Sequence, residues 1–520
     1  MIDAAYFARA RELIAESMGS FAPELVLSLL VIVLLMHDLF TRGARPERAA
    51  AIAAIGLAAS GMLLWFQSSD PQTSGQLNGS QEIFGWLADD GTHKGMLAID
   101  AFAKFFKGFV LLGTLVTIPM CLVHPAFADR RMGEFYALLV AATLGMFLMA
   151  SATNLLMVYM GIEFASMASY LAVAFVKRDR KGSEAGLKYV VYGSVASGVM
   201  IYGLSLLYGM TGSLHISDLA DANVTGAQGS ALAVASVLAF SGFAYKMAAF
   251  PMHFWCPDVY EGSPVPFTAY LSVTSKAAGF AVFIRFMMGF GDGDLHVGAG
   301  EDAYTVTFGW HGLVAGAAVL SMTVGNMAAL WQTNLKRMLA YSSIAHAGYL
   351  LMGVAAFSPE GGPDQYAPVL FYFVAYFFMN LGAFFVVTLV AARTGREDLT
   401  SYRGLITRAP ALCVCLIFCL VSLLGLPPTI GFIGKLELFK LVIDRGLVWL
   451  AVVAGINTAI SAYYYFKIIK AMCLDAAEDE APVSVHPSSM VLVGLLSIPV
   501  LIFGILPEQL YEFTRQFGLF

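Results

Sequence analysis

The chain has 520 residues, 58% of them hydrophobic and only 13% charged, with 30 Lys+Arg against 36 Asp+Glu for a net charge of −6. A soluble domain carries about 25% charged residues, and even a large globule leaves about a quarter of its unfolded surface in water. This composition excludes a soluble enzyme, a disordered chain and a nucleic-acid binder, whose phosphate partner demands clustered basic residues. What remains is an all-α polytopic membrane protein.

Crossing about 30 Å of hydrocarbon takes about 20 apolar residues. In chain order, fourteen stretches meet that requirement, approximately 21–40, 48–66, 98–120, 134–150, 152–176, 187–209, 231–252, 264–288, 310–331, 338–357, 367–392, 410–443, 447–472 and 488–507. The fourth is short, and the twelfth is too long for one straight crossing. Ahead of the first lie Asp3, Arg9, Arg11, Glu12 and Glu16, without the basic start and small-residue cleavage site of a removable signal peptide. The connections after odd-numbered spans hold 17 basic residues, including Arg42, Lys177, Arg178 and Arg403, against 5 on the other side with both termini. Lys and Arg accumulate on the cytoplasmic side, so both ends are expected to face away from it. The opposite set is acidic or neutral, as at Asp292, Glu301 and Asp302. Six cysteines without a CxxC pair read as small packing residues.

Several charges fall where lipid should exclude them. A Lys or Glu near the bilayer centre costs at least about 2.5–3.5 kcal/mol, so it faces a bundle interior or water and has a reason to be there. Glu163 lies about 16 Å into the fifth span at 1.5 Å per residue, close to mid-membrane. Lys246 comes late in the seventh span, Lys276 in the middle of the eighth and Lys435 within the long twelfth. Lys104, Lys107, Arg285 and Lys440 sit nearer span ends, where a long stem can follow lipid while its charge reaches the headgroups. Lys188 opens the sixth span and fits either reading.

Helix breaks flank two of the deep lysines. Pro251 removes a backbone donor and disfavours helix at Phe250, five residues past Lys246. Pro427 and Pro428, between Gly425 and Gly431, unwind the twelfth span just ahead of Lys435. Broken helices near the midplane expose backbone dipoles to a transported ion. A desolvated lysine beside a carboxylate that approaches or withdraws is a switch for holding or releasing a proton. The residues therefore point to a proton relay from Glu163 and Lys246 through Lys276 to Lys435. His346 in the tenth span and His253 after the Pro251 break are candidate bridges, since imidazole passes protons through two nitrogens.

No GxxxxGK[ST] motif is present to run an ATP cycle. The glycine-rich GDGDLHVGAG at 291–300 is expected to be a loop between spans, and no Cys or His spacing suits haem or iron–sulfur ligation. The energy must come from an ion gradient or a partner.

The segments PMHFWCPDVYEGSPVPFTAYLSVTSKAAGF (251–280), QTNLKRMLAYSSIAHAGYLLMG (332–353) and LPPTIGFIGKLELF (426–439) resemble the signatures of antiporter-like membrane subunits of respiratory complex I, the NADH–quinone oxidoreductase. The resemblance spans nearly the whole chain, the first hundred residues least. It implies fourteen transmembrane helices with two inverted five-helix repeats (helices 4–8 and 9–13), helices 7 and 12 being broken. Its divisions fall at 1–130 for helices 1–3, 131–290 and 291–475 for the repeats, and 476–520 for helix 14. It assigns Glu163, Lys246, Lys276 and Lys435 to the proton path, and Lys188 to a helix 6 lysine of less defined role. Some family members carry glutamate on helix 12, whereas position 435 is a lysine. The tenth span has no acid matching Glu163, which leaves the second repeat without an obvious switch pair. FMN, iron–sulfur clusters and quinone would belong to partner subunits. The partners implied are a neighbouring antiporter-like subunit, small membrane subunits and lipid, in a bacterial inner membrane. Two other readings share these features: a subunit of a multisubunit sodium/proton antiporter, and a scaffold that transports nothing.

Overall fold

A computed structural model describes residues 15–519, apart from 16, 42–44, 68–80, 88–92, 128–130, 177–178, 220–228, 290–293, 298–303, 308–309, 359–360 and 479–480. The early acidic and basic residues before position 15, together with Arg42, Lys177, Arg178, Asp292, Glu301 and Asp302, lie outside that description.

Each apolar stretch holds a helix or a broken pair. The continuous ones begin Ala22–Thr41, Pro46–Phe66, Ala101–Val123, Met132–Ser151, Leu155–Val173 and Arg180–Thr211. After the broken seventh span, Gly229–Met247 with Trp255–Gly262, the eighth runs Val265–Tyr270, Leu271–Ser275 and Lys276–Gly289. Trp310–Leu330, Leu335–Val354 and Ala367–Thr394 follow, and the twelfth is Pro410–Leu424 with Ile430–Asp444. Val448–Cys473 and Pro487–Ile505 complete the set, with a short terminal helix Glu508–Arg515. Eleven helices among the described residues are long and apolar enough to cross a bilayer. The exceptions are the two broken spans and Leu335–Val354, whose polar residues include Lys336, Arg337 and His346. The fourth span, short by sequence, has 20 helical residues.

Burial sorts the spans. The eighth is enclosed along its whole length and the eleventh nearly so, while the first, second and fourteenth expose leucines, isoleucines and aromatics outward. The interior is thus built around the eighth and eleventh spans. Within the glycine-rich 291–300 stretch, the connection between spans holds a strand at 294–297. Asp294–Val297 pairs antiparallel with Tyr304–Thr307, because the valines and threonines there favour an extended ladder.

Ion pairs sort the connections into two sets. Lys181 meets Glu261 (3.2 Å), Arg337 meets Glu261 (3.1 Å), Lys336 meets Glu397 (2.7 Å) and Arg403 meets Glu478 (3.1 Å). These join connections after the fifth, seventh, ninth, eleventh and thirteenth spans. Lys94 meets Asp218 (2.8 Å) and Arg515 meets Asp364 (2.8 Å), joining connections after the second, sixth, tenth and fourteenth. Gln67, just past the second span, donates to the Ser20 carbonyl ahead of the first. The odd and even connections therefore gather separately, as alternating crossings require. Burial pushes the Asp218 carboxyl up, but hydrogen bonds from Lys94 and Ser213 outweigh it and hold the group below its usual range.

Candidate functional site

The fifth span starts at Asn154, whose side chain accepts from the Leu156 amide and so satisfies one of the donors a helix start leaves free. Two turns in, Glu163 and Ser166 share a face, three residues apart. Lys246 Nζ donates to Ser166 Oγ at 3.2 Å. Glu163 Oε1 is buried with no hydrogen-bond partner among the described residues, yet close enough to act electrostatically on Lys246. The pair stands apart, with a serine hydroxyl between the two helices holding the ammonium.

The helix carrying Lys246 ends one residue later. Ala248 takes φ 54°, a left-handed conformation that costs a non-glycine residue about 1–2 kcal/mol. Backbone groups freed by the break are met from elsewhere: Ser321 Oγ accepts from the Phe250 amide (2.9 Å), and the Trp255 indole donates to the Tyr245 carbonyl (3.1 Å). Such replacement partners are what allow irregular backbone inside a membrane. His253 lies buried in the break between the rings of Phe250 (5.7 Å) and Phe254 (4.3 Å). Among the described residues its Nδ1 has no partner, and Lys276 is the charge that acts on it.

Lys276 follows a π-helical turn over Leu271–Ser275, a distortion frequent at functional positions. Its Nζ donates to both the Ser343 carbonyl (2.8 Å) and Ser343 Oγ (2.9 Å). One turn on is Gly279, where a Cβ would meet Lys246 Cγ at 3.2 Å. The glycine lets the Lys246 stem lie against the eighth span, which brings two deep lysines onto neighbouring helix faces.

The tenth span carries Ser343, His346 and Tyr349 at intervals of three, hence along one stripe. His346 Nδ1 lies 2.7 Å from the Tyr372 hydroxyl and Nε2 lies 3.2 Å from the Tyr465 hydroxyl. One ring nitrogen donates and the other accepts in either neutral tautomer. Tyr465 reaches Ser342 in turn. Beyond it, Lys435 Nζ stands 4.6 Å from the centre of the Tyr349 ring, within reach of a cation–π attraction. The stripe therefore begins at Lys276 and ends at Lys435.

Lys435 also closes its own broken helix. It donates to the carbonyls of Leu423 (3.2 Å) and Leu424 (2.9 Å), the last residues of Pro410–Leu424. Pro427 and Pro428 have no amide to offer those carbonyls. At Gly425, φ is +85° and a Cβ would come 2.9 Å from Lys435 Cδ. Only glycine suits both the backbone and the lysine stem.

Lys188 is not gathered into this row. It is paired with Glu184 and Asp258, each at 2.8 Å, and its side chain is 38% exposed. Asp258 also binds Arg337, so Lys188 belongs to a surface charge cluster at the end of the broken seventh span. Two charges expected to reach for headgroups do not. Lys107 pairs with Glu24 at 2.6 Å, both nearly dry, and Arg285 pairs with Asp100 at 2.7 Å while donating to the Ala150 carbonyl. Their acidic partners sit on other spans, so a buried pair replaces the solvent that snorkelling would have sought. Among the described residues no cluster of His, Cys, Asp or Glu suits a metal. The tyrosine hydroxyls, Ser166 and Ser343 join the row only through the fold. The spacing Ser343–His346–Tyr349 was a usable signal.

The profile of the family described as "NADH:quinone oxidoreductase/Mrp antiporter, TM" matches residues 152–461. NADH-quinone oxidoreductase subunit N of Anaeromyxobacter sp. (strain Fw109-5) is 44% identical over 95% of both chains. The subunit N 2 of Chloroherpeton thalassium is 42% identical over 94% of this chain and 92% of its own. Among solved structures, a chain of Thermus thermophilus respiratory complex I superposes with TM-score 0.75 at 30% identity, covering 95% of this chain and all of that one. A chain of the Dietzia Mrp complex, 19% identical, shares the fold at TM-score 0.76, covering 96% and 97% of the two chains. The chain belongs to the NADH:quinone oxidoreductase/Mrp antiporter family of transmembrane subunits, among its subunit N members.

Proposed function

We propose that this chain is a proton-translocating subunit in the membrane arm of an NADH–quinone oxidoreductase, and that Glu163, Lys246, Lys276 and Lys435 carry the proton path. The observation supporting this reading is a row of buried polar groups through the bundle interior. It runs from Ser166 and Lys246, past Gly279 to Lys276, and through Ser343, His346 and Tyr349 to Lys435. In this reading FMN, iron–sulfur clusters and quinone act in partner subunits, and the domain divisions follow the two helix repeats. The basic connections face the cytoplasm, so both termini lie on the periplasmic side.

A charge arriving beside Glu163 shifts the balance between Glu163 and Ser166 for the Lys246 ammonium. Movement of that positive charge changes the repulsion felt by Lys276, since charges interact strongly where water is scarce. Lys276 then releases its proton towards Ser343 and His346, whose two tyrosine partners supply the next rungs. His253, in the seventh-span break and within electrostatic reach of Lys276, exchanges protons with it in this reading. Lys188 serves in this reading as a surface member, reaching the row only through the broken span.

The test is Lys276→Ala in the assembled complex, in inverted membrane vesicles. Lost acidification at normal assembly supports the path, and full acidification removes Lys276 from it. Acidification that depends on added sodium would favour the antiporter reading.

A further inference from the structure

We infer that a groove between the second, third and eleventh spans holds one acyl chain of an anionic phospholipid, its headgroup on Lys104. The groove encloses about 470 Å³, within the range of small-molecule sites, and like them it is almost wholly apolar with one polar anchor. Its walls are Leu57 and Gly61 of the second span, Gly108 and Leu115 of the third, and Phe377 of the eleventh, with Phe513 of the terminal helix over one end.

The depth identifies the occupant. From Lys104 to Leu115 the third span rises about 16 Å at 1.5 Å per residue, which is half of the roughly 30 Å hydrocarbon core. A partner's transmembrane helix would need a groove through both leaflets, whereas a single acyl chain fills one. The space is real at its floor: a Cβ on Gly108 would meet nothing within 4 Å, and one on Gly61 would make only ordinary contact with Leu111 at 3.5 Å.

The charge identifies the headgroup. Lys104 Nζ donates to the carbonyls of Trp65 and Gln67, both at 3.1 Å, and lies 5.9 Å from the Trp65 ring centre. Of its three donors, two are used on neutral carbonyls, and among the described residues no carboxylate forms an ion pair with it. It stands on the face where basic residues are scarce, so its charge is not one of many. A phosphate oxygen at that point meets the third donor and the ammonium charge together, while a tryptophan ring marks the headgroup level.

The experiment uses the assembled complex in nanodiscs containing phosphatidylglycerol or phosphatidylcholine with a photoactivatable acyl chain. Crosslinking to the peptide around 104–115 is expected, at least tenfold more with phosphatidylglycerol. Gly108→Leu, or Gly61→Leu if that variant fails to assemble, should abolish it. Lys104→Gln should erase the preference between the two lipids while leaving the crosslink. No crosslink in the wild type, as a partner chain in the groove would cause, overturns the proposal, as does a crosslink that either leucine leaves unchanged. Preference for phosphatidylglycerol that survives Lys104→Gln overturns the headgroup assignment.

Discussion

Lys435 has two duties that substitution can separate. Its ammonium caps Pro410–Leu424 through two carbonyls, and in the proposed path it also holds a proton. Hydrogen bonds to charged groups contribute about 1.5–3 kcal/mol each, so removing both costs about 3–6 kcal/mol, against about 0.5–1.5 kcal/mol for each neutral bond. Lys435→Met loses the cap and the proton together, leaving two carbonyls without partners inside the membrane. Lys435→Gln keeps an amide donor, retains about a third of the capping energy, and has no proton to give. Methionine is therefore expected to lower the yield of assembled complex, whereas glutamine should restore much of it. Both should lose NADH-driven acidification, read by quenching of a pH-sensitive dye in inverted vesicles, with NADH oxidation measured on the same membranes. Normal acidification by a fully assembled Lys435→Gln complex would refute the reasoning, because the side chain would then act only as a helix cap.

Arg285→Ala should destabilise the subunit by about 3–5 kcal/mol, the cost of leaving one member of a buried ion pair alone, since Asp100 would keep its charge with its main partner gone. The thermal unfolding midpoint of the solubilised complex reports this, and an unchanged midpoint would contradict a role in holding the third, fourth and eighth spans together. The Lys94–Asp218 contact should depend on acid in one direction. The Asp218 carboxyl is held below its usual value against the pull of burial, so its stabilisation is complete above about pH 4, the ordinary aspartate range, and fades as pH falls through the lower folded value. Hydrogen-exchange protection of Asp218 and its neighbours, taken relative to the intrinsic rate at each pH, should hold above about pH 4 and fall below it, whereas Asp218→Asn should remove that fall.

The membrane class, the positions of the spans and the two helix breaks were legible in the residues themselves. Burying a backbone in lipid forces helices of fixed length, and proline removes a donor that can break one, as at Pro251 and Pro427–Pro428, although Pro119 and Pro499 lie inside continuous helices. The deep lysines were equally visible, because a charge inside an apolar run is anomalous before any fold is known. What each charge does was not legible. Lys107 and Arg285 looked like surface-seeking residues, yet Glu24 and Asp100 reach them from spans dozens of residues away or more. Lys188 fitted either reading, and it meets Asp258 at the surface. The partner of a charge is fixed by which helices become neighbours, and that depends on packing across the whole bundle. For the same reason the serine, imidazole and tyrosine column on the tenth span acquires meaning only once the eighth and twelfth spans place a lysine at either end of it.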